Sequence, residues 1–154
     1  MILKKIVSFL LAFMVISMCY AKPLSKDYNY NIAGVAIAQE GYYLVEISVI
    51  VDKKKDATIE IAKKCAIHGC LFKGFSVDNI AQKPMVISPS VEDDNSDFFN
   101  KLFEEQYERY TNCTHPIQIV KVGKQYRVTA IVLVSKELLR KDLESAGIIR
   151  KLGL

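Results

Sequence analysis

Two β-hairpin patterns, one on each side of a helical middle section, constrain the fold of this 154-residue chain more than any other feature. Residues 32–39 and 42–52 are rich in β-branched and aromatic side chains and are separated by a Glu-Gly pair, which is typical of two antiparallel strands joined by a tight turn. Residues 116–122 and 125–134 repeat the pattern across a Gly-Lys pair. Alternation along the second strand predicts one core face, formed by Tyr43, Val45, Ile47, Val49 and Val51.

The first helix is predicted over residues 57–68, with Asp56 as its N-cap and Gly69 at its carboxyl end. Helical periodicity places Cys65 on the apolar face. We expect Gly69 to adopt the left-handed conformation, because that ending would bring Cys70 back over Cys65. The side chains expected to point away from the core are Glu60, Lys63 and Lys64.

A short strand over 71–75, a second helix over 96–110 and a third helix over 136–146 complete the order β-β-α-β-α-β-β-α. Ser135 caps the third helix and Gly147 ends it. The predicted fold class is therefore α+β: an antiparallel sheet from two hairpins plus a short central strand, with the helices packed on one face. An apolar and aromatic stripe on the second helix is interpreted as core, and it comprises Phe99, Leu102, Phe103, Gln106, Tyr107 and Tyr110.

The amino terminus has the three parts of a secretory signal peptide. Lys4 and Lys5 precede an apolar run over 6–18, and Cys19-Tyr20-Ala21 places small residues at the −3 and −1 positions of a cleavage site. This run is too short to span a hydrocarbon core about 30 Å thick, which takes roughly 20 residues. We predict a signal peptide over 1–21, cleaved near Ala21, and export to the periplasm or the medium.

Two alternatives would keep the chain at a membrane, and both depend on the leader. One is an uncleaved leader, and the other is lipidation at Cys19, which the bulky Met18 before it disfavours. After the leader, the polar residues 22–31 predict a flexible tether, and residues 32–154 predict a single α+β domain. A composition with 51% hydrophobic residues favours a packed core over a disordered chain.

Charge and motifs argue against several classes of protein. The formal charge is only +4, and the lysine clusters at 53–55 and 63–64 lack interleaved aromatic residues, so no nucleic-acid partner is predicted. The sequence contains no glycine-rich phosphate loop, no esterase nucleophile elbow and no His-Glu-x-x-His zinc signature. We therefore predict no cofactor and do not expect an enzyme.

Residues 76–95 form the longest stretch without a clear helical or strand pattern, although Met85-Val86-Ile87 is compatible with an edge strand. A loop of this length in a compact domain is often a binding element. A plain solvated connection, whose acidic residues help to start the next helix, is the alternative. The residues of this candidate partner-binding loop are Asp78, Lys83, Met85, Val86, Ile87, Asp93 and Asp94.

The types of Cys65, His68, Cys70, Cys113 and His115 would suit a metal or nucleophilic site. Their spacing lacks the paired motifs that define zinc sites, and no activated-thiol motif surrounds the cysteines. In an oxidising compartment, Cys65, Cys70 and Cys113 are compatible either with a disulfide or with buried free thiols. The sequence leaves these alternatives open.

Three segments carry a resemblance to known proteins: GYYLV at 41–45, KCAIHGCLFKGF at 64–75 and LRKDLESAGIIRKL at 139–152. The chain resembles a group of small exported proteins from Bacteroidota-type bacteria. The resemblance covers most of the chain after the leader and implies export, but that group has no assigned function, so no activity or site residue is implied. The element order is also similar to small envelope domains of flagellar-assembly and lipoprotein type, a likeness of fold alone.

Two hypotheses about function follow. The first is a non-catalytic exported domain that binds a protein partner or assembles in the cell envelope, with the loop at 76–95 as its contact. The second is a metal protein or hydrolase that uses the five cysteines and histidines, which requires His68 and His115 to converge in space.

Overall fold

The computed structural model of the chain describes residues 28–36, 40–88 and 90–151. The predicted signal peptide, Cys19 and the first six residues of the predicted tether lie outside the described residues. Within these ranges, no helix is long and apolar enough to cross a membrane.

An antiparallel sheet forms the centre of the fold. The strands of the described residues are β1 (Asn29–Ala36), β2 (Tyr42–Val51), β3 (Phe75–Val77), β4 (Ile80–Gln82), β5 (Thr111–Cys113), β6 (Gln118–Val122) and β7 (Gln125–Ser135). The main sheet has the spatial order β1-β2-β7-β5, and β6 also pairs with β7. Both predicted hairpins, β1-β2 and β6-β7, are confirmed.

The helices make the fold α+β, as predicted. They are α1 (Ile59–His68), α2 (Ser90–Asp94), α3 (Ser96–Lys101), α4 (Tyr107–Tyr110) and α5 (Lys136–Ser145). A π-helical turn over Leu102–Gln106 joins α3 to α4, so these three pieces together make up the second helix that the sequence predicts. A 3₁₀ turn over Lys54–Asp56 precedes α1.

The sheet begins earlier than the sequence analysis expected. Residues 29–31, assigned to the flexible tether, are the first residues of β1, because Tyr30 pairs with Val49 and is only 5% exposed. Its neighbours Asn29 and Asn31 lie on the exposed side of the strand. A single buried aromatic side chain thus brings a polar segment into the sheet.

The amino end of α1 also differs from the prediction. Asp56 is not the N-cap, because it lies in the 3₁₀ turn. Thr58 has the extended conformation of a cap instead, and its hydroxyl accepts a hydrogen bond from the Ile61 amide at 3.3 Å. In α5 the prediction is confirmed: the Ser135 hydroxyl accepts from the Leu138 amide.

One face of the sheet is buried beneath the helices. Val45, Ile47, Val49 and Val51 from β2 are all at most 4% exposed, as the alternation predicts. From the second helix, Phe99, Leu102, Phe103 and Tyr110 join the same core. The aromatic stripe therefore packs inside the protein.

On the side of α1 expected to face solvent, Glu60 is exposed as predicted, but the two lysines are buried. Lys63 and Lys64 are 8% and 5% exposed, because the second helix covers them. Their ammonium groups pair with carboxylates of that helix, Lys63 with Glu108 at 2.8 Å and Lys64 with Glu104 at 3.4 Å. Such pairing is what permits a lysine in the interior.

The carboxyl end of α1 is the largest departure from the prediction. Gly69 is not left-handed: its φ is −61°, and the helix continues as a π-helical turn over Gly69–Lys73. The chain reverses only at Gly74, where φ is +71°. The predicted strand at 71–75 accordingly becomes β3 at Phe75–Val77, which pairs with β4 in a separate two-stranded sheet.

Candidate functional site: the His68 cavity

The connection after β4 is fixed to the end of α1 by its backbone. The Met85 amide donates to the Cys70 carbonyl at 3.2 Å, and the Val86 amide donates to the Leu71 carbonyl at 2.9 Å. These bonds satisfy carbonyl groups that the end of a helix leaves without partners. Met85-Val86-Ile87 is therefore a helix-capping segment and not an edge strand.

Val86 and Ile87 have opposite environments although they are adjacent. Val86 is 3% exposed and belongs to the core, whereas Ile87 is 93% exposed. Burying an isoleucine side chain is worth about 1.5–3 kcal/mol, which a partner that covered Ile87 would gain. The burial of Val86 and its amide bond to Leu71 fix the backbone beside Ile87.

A cavity of about 340 Å³ lies between this segment, the end of α1 and α2. Its volume is within the range of small-ligand pockets, about 300–1,000 Å³. It combines apolar walls with a histidine and two carboxylates, and its lining residues are His68, Phe72, Val86, Ile87, Ser90, Glu92 and Asp93.

The imidazole of His68 is held from two sides. His68 Nδ1 shares a hydrogen bond with the Tyr30 hydroxyl, and His68 Nε2 lies 3.8 Å from Glu92 Oε2. The rings of Phe72 and Phe103 lie 5.0 and 6.2 Å from the imidazole ring, centroid to centroid. These contacts orient the histidine at the back of the cavity.

Tyr30 contacts His68 through an uncharged hydroxyl. Burial raises the pKa of its hydroxyl far above the usual range, and the nearby Cys65, Cys70 and Glu92 add to the rise. Lys73 covers the outer side of Tyr30, with its ammonium 3.5 Å from the ring centroid. The first strand of the sheet is thus connected to the end of α1 through one tyrosine.

The two cysteines of the α1 region are buried, and their thiols are unreactive. Burial raises the pKa of Cys65 and of Cys70 to about 12, so both thiols are protonated at neutral pH and are poor nucleophiles. Cys65, Cys70 and Cys113 are all free in the described structure. Residues five apart on a helix have Cα atoms about 8.7 Å apart, beyond the ~7 Å reach of a disulfide, so helix continuation keeps Cys65 and Cys70 separate.

The five cysteines and histidines do not form one site. His115 is exposed beyond β5, where its Nδ1 lies 2.9 Å from the Thr114 hydroxyl, whereas His68 is buried against Tyr30. Cys113 is half-buried in β5. Across residues 28–36, 40–88 and 90–151, no group of three or more His, Cys, Asp or Glu side chains is placed to hold a metal ion.

The predicted partner-binding loop is divided by the structure into three parts. Asp78 lies in the β3-β4 turn with φ of +47°, and Lys83 is exposed just after β4. Met85 and Val86 pack toward the core. Of the predicted residues, three line the cavity: Val86, Ile87 and Asp93. Asp94 is exposed at the end of α2.

Sequence reasoning missed three of the lining residues. The sequence places Phe72 in the predicted strand at 71–75, and Ser90 and Glu92 in the loop at 76–95 without singling them out. The acidic run did signal a helix start, but nothing local indicated that α2 would lie over the end of α1.

Comparison with known protein families, with curated proteins and with solved structures finds no match for this chain.

Proposed function

We propose that this protein is an exported, non-catalytic binding domain that recognises a protein partner at the His68 cavity. The observation that carries the proposal is Ile87, which is 93% exposed at the cavity yet follows a residue that is 3% exposed. Central apolar contacts bordered by polar groups are typical of protein-binding surfaces. Ile87 is the apolar anchor in this proposal, and Glu92 and Asp93 supply the polar border.

Export is supported by the sequence of the amino terminus. Lys4 and Lys5 before the apolar run, and Ala21 at the expected cleavage position, follow the order of a signal peptide. The partner in this proposal is a protein of the cell envelope. Mass spectrometry of the protein recovered from the producing cell tests this part directly: a chain starting at Lys22 is expected, and an intact Met1 would contradict cleavage.

Binding is tested by introducing a photo-crosslinking side chain at position 87 in the living cell. We expect one dominant crosslinked protein, and we expect Ile87→Asp to abolish its co-purification with the untagged chain. The matched control is Ile80→Asp, because Ile80 is also an exposed isoleucine, at 57%, and lies on β4 away from the cavity lining.

Circular dichroism distinguishes a binding defect from misfolding, since neither isoleucine belongs to the buried core. Capture that is lost in Ile87→Asp and retained in Ile80→Asp supports the His68 cavity. Undiminished capture by Ile87→Asp, or equal loss in both folded variants, would remove this site from the proposal.

A further inference from the structure

The side of the sheet opposite the helices carries a second surface, which we call the open face. It is defined by the side chains that alternate with the buried ones on β2 and β7. Ile50, Ile131 and Leu133 are half-buried there and do not belong to the core cluster. Val120 and Val122 of β6 extend the same surface and are 56% and 42% exposed.

Two opposite charges lie among these apolar side chains. Glu46 on β2 and Arg127 on β7 are both exposed, and within the described residues neither takes part in an ion pair. The register places Glu46 beside Ile131 and Arg127 beside Ile50, four residues apart along the strands. At about 3.4 Å per residue the two charges are about 14 Å apart, too far to pair within one chain.

The positions of these charges are related by a simple symmetry. The pair Ser48 and Thr129 lies midway between the two levels. Consider two copies packed face to face and related by a two-fold axis that runs across the strands through this midpoint, parallel to the sheet. The Glu46–Ile131 level of one copy then lies against the Ile50–Arg127 level of the other. Glu46 of one copy lies opposite Ile50 of the other, at the same level as Arg127 and one strand to its side.

We propose that the open face binds a second copy of this chain, giving a two-fold symmetric dimer in which two sheets pack face to face. Sheets stacked in this way cross at about 30°. At the shared level Glu46 and Arg127 of the other copy are one strand apart, about 4.8 Å, a diagonal that long side chains can span. The self-complementary placement of one acid and one base is what an interface between identical surfaces requires.

The area of the open face suits this occupant. With strands about 4.8 Å apart and about 3.4 Å per residue, the residues of β1, β2, β5, β6 and β7 give a flat footprint of roughly 600 Å². A standard stable interface buries about 800 Å² on each partner. The apolar side chains and small Ser48 and Thr129 at the centre allow the close approach of two sheets, and the surface is distinct from the His68 cavity.

A charge-exchange series tests the dimer, using the chain as purified from its producing cells. Sedimentation over a range of concentrations is expected to show a monomer–dimer equilibrium. Glu46→Arg and Arg127→Glu alone are each expected to weaken the dimer about tenfold or more, because each creates two like-charge pairs across the interface. The double variant restores opposite charges and should recover most of the affinity.

The matched control is Glu105→Arg, which makes the same charge change at an exposed position of the second helix. It should leave the equilibrium unchanged, and circular dichroism should show that all variants are folded. Restoration in the double variant identifies contact between copies, because Glu46 and Arg127 are too far apart to restore each other within one chain. A chain that stays monomeric at high concentration, or a dimer that resists the single reversals, would overturn the proposal.

Discussion

The two helices that follow the long strands of the sheet end in different ways. At the end of α5, Gly147 adopts a φ of +72° and the Ile148 amide donates back to the Leu143 carbonyl at 2.9 Å. At the corresponding place in α1, Gly69 stays helical, and the chain turns only five residues later at Gly74. The same residue type therefore serves two purposes.

The difference lies in what surrounds each glycine. A Cβ added at Gly147 would meet no atom within 4 Å, so this glycine is needed only for its backbone conformation. A Cβ at Gly69 would lie 2.5 Å from Ile32 Cδ1, so this glycine is needed for close packing of α1 against β1. Gly74 combines both needs, since a Cβ there would overlap the backbone carbonyl of Gln82.

The largest effect should come from alanine at Gly74, with alanine at Gly147 as the matched comparison. Both have φ close to +70°, so each Gly→Ala change carries the left-handed strain of about 1–2 kcal/mol. Gly74→Ala adds an overlap with the Gln82 carbonyl and a 3.1 Å contact with Pro84, and we expect a total loss of about 3 kcal/mol or more. Gly147→Ala should lose only about 1 kcal/mol.

Denaturant unfolding measures both values under the same conditions. Because the residue change and φ are the same at both positions, the difference between the two losses in unfolding free energy measures the effect of the atoms around Gly74. Equal losses would show that the turn at Gly74 is not packed against β4 as described, and would break the comparison.

A smaller effect is expected at two buried tyrosines, one near each helix. Tyr110→Phe removes a 2.6 Å hydrogen bond to Asp142 of α5, and Tyr30→Phe removes the bond to His68 of α1. Loss of a hydrogen bond that leaves a polar group without its partner costs about 1–3 kcal/mol. Both variants should therefore unfold at lower denaturant concentration than the wild type.

The same tyrosines give a dependence on pH. Burial is the main cause that raises the pKa of both hydroxyls above the ordinary value, with the bond to Asp142 adding to it at Tyr110. The unfolded chain therefore loses these protons first, and the free energy of unfolding falls as pH rises above about 10. Each phenylalanine variant should show a shallower alkaline loss than the wild type, and an unchanged slope would contradict this.

The smallest effect is expected at Gly69, where the sign of the change in stability decides between two explanations. Alanine normally stabilises a helix interior by about 1 kcal/mol relative to glycine, but here we expect Gly69→Ala to destabilise by about 1 kcal/mol because of Ile32 Cδ1. Ile32→Val removes that atom. In the Ile32→Val background Gly69→Ala should become neutral or stabilising, and a double-mutant cycle measures the coupling.

If Gly69→Ala stabilises the wild-type chain, close packing is not what this glycine provides. If it destabilises equally in both backgrounds, the contact with Ile32 is not the cause. After either result, the continuation of the helix past Gly69 would need a different explanation.

Most of the sheet could be predicted from the sequence, because alternation and turn residues are local signals. The strands β2 and β7 and the caps of α5 follow directly from them. The continuation of α1 could not be predicted, since it depends on the contact of Gly69 with Ile32 on a distant strand. The inclusion of Asn29–Asn31 in β1 has a similar origin, because Tyr30 is buried against His68.

The candidate site was predictable only in outline. The loop at 76–95 could be identified by its lack of periodicity, and Ile87 was among its residues. The cavity itself forms because α1 continues to Lys73 and carries Phe72 over to α2. A site that depends on a helix ending late requires tertiary information that no local pattern contains.

The position of β7 has a consequence for how the protein reaches its folded state. β7 begins at Gln125, yet it holds β2 on one edge and β5 and β6 on the other. Pairing β2 with β7 closes a loop of roughly 75 residues or more, which costs entropy that local hairpins do not pay. A chain synthesised or translocated from its amino end must therefore remain without its main sheet until the last quarter has emerged.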